Sequence, residues 1–94
     1  MSDTQLTSPD EAIALRLIQS IRDHAEAACA PDRVDLVSVT FDVAASGAEA
    51  SNLKFTPRID RKTRTILFTG GSAAGATGIA MTATAVYRIT PQPA

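Results

Sequence analysis

A single amphipathic helical segment stands near the start of this chain, and every later segment carries the alternating pattern of β-strands. Apolar residues recur at helical spacing from Pro9 to Ala30, whereas residues 33–90 break into runs that alternate apolar with polar side chains. Because all of the helix precedes all of the strand, we expect an α+β fold. One N-terminal helix would pack on a curved four-stranded antiparallel sheet, in a single domain of 94 residues.

The ends of the helix are marked by residues with specific roles. Ser8 is suited to cap the first turn, Pro9 suits the first helical position, and Glu11 completes a capping box three residues after the cap. Pro31 ends the helix because proline cannot continue it. The predicted apolar stripe contains Ile13, Ala14, Leu15, Leu17, Ile18, Ile21, Ala25 and Ala28.

Four strands and the connections between them are predicted after the helix. Val37–Val43 reads as the first strand, and a second, Leu53–Ile59, contains Pro57, which indicates an edge or a bulge because proline lacks an N–H donor. The remaining assignments are a turn at Ser46-Gly47, a hairpin at Asp60–Lys62 leading into Thr63–Thr69, a flexible loop at Gly70–Gly78 and a last strand at Gly78–Ile89. The expected limits are a flexible N-terminus at 1–7, one domain at 8–90 and a flexible tail at 91–94.

Charge and composition exclude several classes of partner. The net charge of −1 argues against bulk electrostatic binding to nucleic acid or to an anionic membrane, and the few aromatic residues offer little stacking surface. The N-terminus lacks the pattern of a signal peptide, and no apolar run approaches the roughly 18 residues of a membrane helix. With a single cysteine, Cys29, the chain forms no internal disulfide, and we expect a soluble, cytoplasmic protein.

Three segments resemble hotdog-fold proteins of the acyl-CoA thioesterase type. The first is the alternating strand Leu36–Val43 after a helix, and the second is the basic hairpin Arg61–Phe68, which enters a β-branched strand. The third is the closing strand Gly78–Ile89, whose sequence is Gly-Ile-Ala-Met-Thr-Ala-Thr-Ala-Val-Tyr-Arg-Ile. With the helix, the resemblance covers about 80 residues, and it is to a short form that lacks the usual first strand and its His-Gly-Gly-like segment.

The resemblance implies binding or hydrolysis of acyl-CoA or acyl-carrier thioesters in a groove at a homodimer interface. Such an enzyme needs a carboxylate to activate water and a group that polarises the thioester carbonyl. Many relatives have an acidic residue on this helix, at the position that falls near Gln19 here. Because Gln19 is not a carboxylate, the candidate bases are Asp23 and Glu26, with the start of the helix as electrostatic support. A solvated helix face is the alternative interpretation of both acids. Coenzyme A enters only as part of a substrate, and no other cofactor is expected.

A basic cluster follows the second alternating run. Residues 1–57 hold nine of the ten acids, whereas residues 58–94 hold five of the nine bases and one acid, Asp60. Around the predicted hairpin, two or three of these bases could converge on the phosphates of coenzyme A. An ordinary solvated hairpin with charges that protect a sheet edge is the alternative. The candidate phosphate contacts are Arg58, Arg61, Lys62 and Arg64.

The remaining reactive side chains indicate neither a metal site nor a nucleophile. His24 is the only histidine, so it has no second imidazole with which to share a metal, and Cys29 has no evident basic partner. We expect His24 at the surface and Cys29 to be a buried, inert thiol. These absences leave open a second hypothesis, a non-catalytic hotdog-like subunit that binds a ligand or partner or has a structural role.

Overall fold

The computed structural model describes residues 8–45 and 50–93, and over this range the chain has the predicted α+β arrangement. One N-terminal helix packs against one face of a four-stranded antiparallel sheet. The elements are α1 (Pro9–Cys29), β1 (Arg33–Val43), a short 3-10 turn (Ala50–Asn52), β2 (Lys54–Lys62), β3 (Ile66–Gly75) and β4 (Gly78–Thr90). The turn predicted at Ser46-Gly47, the N-terminal segment 1–7 and Ala94 lie outside the described residues, and the domain limits stay a prediction.

The predicted capping box at the start of α1 is confirmed. The backbone N–H of Glu11 donates to Ser8 Oγ at 3.2 Å, and the N–H of Ser8 donates to Glu11 Oε1 at 3.4 Å. Each contact satisfies an N–H group that the first turn of a helix leaves without an internal partner. Asp10 and Glu11 also place negative charge at the positive end of the helix dipole.

The strands lie in the order β1-β4-β3-β2, so β1 and β2 form the two edges of the sheet. Pro57 therefore sits on an edge strand, as predicted. Each strand turns alternate side chains to the face that carries α1, here called the helix face, and to the opposite open face. Leu67, Thr69, Gly71 and Ala73 of β3 belong to the helix face, as do Met81, Ala83, Ala85, Tyr87 and Ile89 of β4.

The core lies between α1 and the two central strands. Along α1 the buried residues recur every four positions, so a single line of side chains meets the sheet. Small residues on the strands let the helix approach closely: a Cβ added at Gly71 would lie 3.0 Å from Ile21 Cγ1. The buried helix line consists of Ile13, Leu17, Ile21, Ala25 and Cys29. Leu15 and Ala28, predicted as part of the stripe, are exposed.

Two predicted connections are wrong. Residues 70–75 belong to β3 rather than to a flexible loop, and the turn into β4 is only Ala76-Thr77. These glycines and alanines form a strand because β2 and β4 pair with them on both sides and α1 needs small residues beneath it. Likewise β2 continues through Lys62, with a bulge between Ile59 and Arg61, so the hairpin turn lies at residues 63–65.

Within the described residues, no helix combines the length and the apolar character required to cross a lipid bilayer.

Candidate functional site

The two flanks of α1 face different parts of the sheet. On one flank the guanidinium of Arg16 lies 5.0 Å from the ring centre of Phe55, so this flank faces β2. The other flank carries Ile18, Arg22 and Glu26, which share one side of the helix because they are spaced four residues apart. This second flank faces β4 and β1, since the charges of Arg22 and Glu26 both act on Tyr87 of β4.

An apolar trough lies between this second flank and the edge strand β1. Leu36 and Val43 on the helix face of β1 remain 46% and 50% exposed. Val39 and Phe41 lie between these two residues and are partly buried against the core, as is Ile18 of α1. The β1 trough is thus lined by Ile18, Leu36, Val39, Phe41 and Val43, whereas the facing residues of β4, Ala83, Ala85 and Tyr87, are buried.

The trough is a shallow, open surface feature, and over residues 8–45 and 50–93 no pocket is found. Of the large apolar side chains that this part of the chain exposes, Leu36, Val37 and Val43 lie in the trough or on the adjoining edge of β1, whereas Leu15, Phe68 and Ile79 lie elsewhere. Exposed apolar side chains are common singly, but these three belong to one strand.

One end of the β1 trough is polar. Tyr87 lies there, paired with Leu36 on β1 and Leu67 on β3, and its side chain is buried. On the neighbouring flank of α1, Arg22 Nε contacts Glu26 Oε2 at 3.1 Å. Burial raises the pKa of the Tyr87 hydroxyl above its ordinary value of 10.0; the positive charge of Arg22 opposes this effect and the negative charge of Glu26 adds to it. At neutral pH the hydroxyl is therefore protonated and able to donate a hydrogen bond.

The two predicted acids have different surroundings. Glu26 lies on the trough flank of α1, paired with Arg22 beside Tyr87. Asp23 is exposed and points away from the sheet, because it lies two residues beyond the buried Ile21. The start of α1 is more than about 20 Å from either acid, at roughly 1.5 Å per residue. Within one chain, the helix start and these acids therefore cannot act on the same carbonyl, which corrects that part of the expected site.

The predicted basic cluster is divided between the two faces of the sheet. Arg58 and Arg61 lie on the open face, opposite Gly70 and Phe68 of β3. The Nε of Arg58 donates to Asp60 Oδ1 at 2.7 Å, and its guanidinium lies over Gly70, where a Cβ would collide with it. This arrangement favours a solvated, edge-protecting role for this pair of arginines.

The other two bases of the cluster lie at the end of the sheet where Tyr87 is found. Lys62 points to the helix face, and its Nζ donates to the carbonyl oxygen of Ala28 at 3.1 Å. Arg64 is exposed in the turn between β2 and β3. The four bases therefore do not converge on one point, and Arg64 is the member best placed for a ligand that extends beyond the polar end of the trough.

The single histidine and the single cysteine lie where the sequence indicated. His24 is exposed on α1, and Cys29 is a buried free thiol at its last turn. Among the described residues, no group of three or more histidine, cysteine, aspartate or glutamate side chains is arranged to hold a metal ion.

Tyr87 and Arg22 were absent from the predicted site residues. The available sequence signal was the spacing of Arg22 and Glu26, four residues apart on a helix.

Neither a scan against protein-family models nor a search of curated proteins found a match to this chain.

Proposed function

We propose that this protein is a hotdog-like protein that binds, and hydrolyses, acyl thioesters carried on coenzyme A or on an acyl-carrier protein. The observation that carries the proposal is the β1 trough, an exposed apolar surface with a polar end. From Leu36 to Val43 the trough extends on the order of 20 Å, at roughly 3.3 Å per strand residue. An acyl chain lying along β1 would cover the aliphatic side chains that one copy of the chain leaves exposed.

The direction of the bound chain follows from the two ends of the trough. The apolar end lies beside Val43, and the polar end lies beside Tyr87 and Glu26. We place the thioester at the polar end and the methyl end of the chain near Val43. The carrier then extends past the Tyr87 end of the sheet toward Arg64, whose exposed guanidinium suits a phosphate group.

The chemistry assigned to this end of the trough is hydrolysis by an activated water molecule. In the proposal the Glu26 carboxylate accepts a proton as water attacks the thioester carbonyl carbon, and the carbon–sulfur bond breaks. The proton passes to the departing thiolate, so that a carboxylic acid and a free thiol leave. Of the two candidate bases, Glu26 is preferred to Asp23 because it lies on the trough flank of α1.

A homodimer is part of the proposal, and the unequal edges of the sheet support it. Each edge strand contains one bulge, but the β2 edge is further protected against pairing by Pro57 and by its basic side chains. The β1 edge is 11 residues long, contains neither proline nor lysine and exposes Val37 at its bulge beside the trough. Two β1 edges paired about a twofold axis would bring two troughs together into one groove at the subunit interface. We assign the dimer to the cytoplasm, in keeping with the free thiol of Cys29.

The second candidate function is a non-catalytic subunit that pairs with another protein chain through β1. The long β1 edge, which contains neither proline nor lysine, favours this function. It predicts a stable complex with the partner chain, no hydrolysis of acyl-CoA and no affinity for acyl-CoA. The first proposal differs in both ligand measurements, because it predicts binding and hydrolysis of acyl-CoA.

The experiment measures binding and turnover of acyl-CoAs of increasing chain length, with free coenzyme A as the reference. An open trough buries about half of each methylene, so affinity should rise about twofold per added methylene, from roughly 0.8 kcal/mol for full burial. Val43→Asp should abolish the dependence on chain length. Ile79→Asp is the matched control, because Ile79 is 52% exposed and lies on the other side of the sheet, opposite Ala74.

Turnover is followed with a thiol reagent that detects released coenzyme A. Glu26→Gln should reduce the rate by at least about 100-fold, the usual contribution of a general base. Asp23→Asn, three residues away on the same helix, should leave the rate within about twofold. Equal effects of the two variants would remove Glu26 from the mechanism, and the absence of both binding and turnover would overturn the proposed function.

A further inference from the structure

The open face of the sheet carries an exposed aromatic ring between two arginines. Phe68 of β3 is 39% exposed, and Arg61 of β2 lies directly opposite it. Val86 of β4 is its partner on the other side, and Arg88 lies on the same face two residues beyond Val86. Both arginines are exposed, and neither forms an ion pair with a carboxylate in the described part of the chain. Their Cα atoms lie roughly 12 Å apart, from the spacing of strands and residues, with the ring between them.

A second planar group lies beside the ring. The guanidinium of Arg58 lies over Gly70, which has no side chain to displace it, and Asp60 Oδ1 accepts from its Nε at 2.7 Å. Gly70 is two residues from Phe68 on β3, so the two planar groups lie roughly 7 Å apart along one face. Aromatic rings and guanidinium planes are the surfaces on which unpaired nucleic-acid bases stack. The open face thus presents two stacking surfaces in succession.

The charge of the open face differs in sign from the charge of the whole chain. Five basic and three acidic side chains lie on this face, a balance of +2, whereas the chain carries −1. The bases are Arg33, Lys54, Arg58, Arg61 and Arg88, and the acids are Asp35, Asp42 and Asp60. Exposed hydroxyl groups, such as those of Thr40 and Thr84, lie beside these charges and can donate to phosphate oxygens. The face is therefore complementary to a polyanion that carries planar groups.

We propose that the open face binds single-stranded nucleic acid, with successive bases on Phe68 and Arg58 and with phosphate groups on Arg61 and Arg88. The described residues form no pocket, and a flat face suits an extended strand, which gains affinity from several shallow contacts in a row. The expectation of no nucleic-acid binding came from the net charge of the chain, which the fold divides unequally. The open face lies on the opposite side of the sheet from the β1 trough, so this inference stands apart from the proposed function.

The test measures the fluorescence anisotropy of a labelled oligothymidylate and a labelled oligouridylate, each about ten nucleotides long, against the full chain. Binding should weaken as the salt concentration rises, because phosphate contacts release counterions. Arg61→Gln and Arg88→Gln should each reduce the slope of log affinity against log salt by about 0.7. Arg22→Gln is the matched control, because it removes the same charge from α1 and should leave the slope unchanged. The more tightly bound oligonucleotide identifies the strand as DNA or RNA.

The stacking surfaces have a different signature. Phe68→Ala should weaken the binding of the oligonucleotides at least about fivefold, because one base loses its planar partner, and the salt slope should stay the same. Arg58→Lys keeps the charge but removes the planar group, so it should also weaken binding without a change of slope. Leu36→Ala is the matched control for Phe68→Ala, because Leu36 is exposed to a similar extent on the helix face and should not affect binding.

Three outcomes would overturn the inference. The first is the absence of binding to both oligonucleotides, and the second is an equal salt slope for the variants of Arg61, Arg88 and Arg22. The third is competition by polyglutamate as effective as competition by unlabelled oligonucleotide, which would show that an acidic polypeptide fits the face as well as a nucleic acid does. The exposed arginines can be tested even if Phe68→Ala fails to fold, and no outcome bears on the hydrolysis of acyl-CoA.

Discussion

Lys62 at the end of β2 donates from its Nζ to the carbonyl oxygen of Ala28 at 3.1 Å, which joins the sheet to the last turn of α1. The last turn of the helix has no basic residue of its own. A lysine distant in sequence therefore supplies the positive charge that the negative end of the helix dipole favours. The sequence suggested a phosphate contact for Lys62, whereas the structure gives its ammonium group a partner within the fold.

The first prediction concerns the stability of this helix end. Lys62→Gln removes the charge and should lower the free energy of unfolding by about 0.5 to 1 kcal/mol, the usual size of a cation's interaction with a helix C-terminus. Arg64→Gln is the matched control, because Arg64 lies in the adjoining turn and should change stability by less than about 0.5 kcal/mol. Urea unfolding of the two variants measures both values, and equal losses would contradict the assignment.

The second prediction uses two neighbouring glycines on opposite faces of β3. A Cβ at Gly71 would lie 3.0 Å from Ile21 Cγ1 and 3.1 Å from the Thr56 carbonyl oxygen. Gly71→Ala should therefore push α1 from the sheet and lower the free energy of unfolding by about 1 to 3 kcal/mol. A Cβ at Gly70 would also lie 3.0 Å from a backbone carbonyl oxygen, that of Ala83, but its other close contact is the flexible end of the Arg58 side chain rather than the buried Ile21, so Gly70→Ala should cost less. Thermal or urea unfolding that shows the reverse order would contradict this packing.

The parts of the fold that the sequence predicts correctly are those whose signal lies within a few neighbouring residues. The capping box of Ser8 and Glu11 lies within one turn, and it was predicted because its partners are three residues apart. The alternation of Leu53, Phe55 and Ile59 likewise gave the face of β2 that packs on the core. Pro57 identified the edge strand because an internal strand needs the N–H that proline lacks.

The errors fall where the local pattern conflicts with tertiary packing. Residues 70–75 read as a loop because glycine and alanine are poor strand formers in isolation. In the fold, Gly71 is required by the close approach of Ile21, and pairing on both sides supplies the hydrogen bonds of a strand. The bulge between Ile59 and Arg61 adds one residue to β2, which shifted the predicted turn toward the N-terminus by about three residues.

The candidate site was less predictable than the fold because its parts meet only after packing. Glu26 and the bases of the hairpin were chosen from the sequence and from a family resemblance. Tyr87 was not chosen, since nothing near it in sequence shows that Arg22 lies across from it. The β1 trough depends on the lateral position of α1 over the sheet, and no local pattern specifies that position.

The third prediction concerns the free edge of β1. If two copies pair through this edge, Val37→Lys should convert the dimer to a monomer, because a lysine on an edge strand opposes pairing. Ile79→Lys is the matched control, since Val37 and Ile79 are 53% and 52% exposed and Ile79 does not lie on the β1 edge. Sedimentation velocity at micromolar concentration distinguishes the two species. A monomeric wild-type protein would overturn the dimer.

The last prediction follows from the raised pKa of Tyr87. Burial disfavours the phenolate, and the charge of Glu26 disfavours it further, although Arg22 partly offsets both effects. Below pH 10.0 the hydroxyl is protonated in the folded and the unfolded chain, so its contribution to stability is fully present. As the pH rises past 10.0 the unfolded chain ionises first, and that contribution is lost until the pH exceeds the folded-state pKa. Wild type should therefore lose more stability at alkaline pH than Tyr87→Phe, which has no such group.

Two measurements check this linkage on the same protein. Urea unfolding below and above pH 10.0 should show the difference between wild type and Tyr87→Phe only on the alkaline side. The chain has one tyrosine and no tryptophan, so a titration of phenolate absorbance reports Tyr87 alone. Glu26→Gln should lower the midpoint of that titration, because it removes a negative charge that disfavours the phenolate, whereas Asp23→Asn should leave it unchanged. A wild-type midpoint at or below 10.0 would show that burial does not raise the pKa of the Tyr87 hydroxyl.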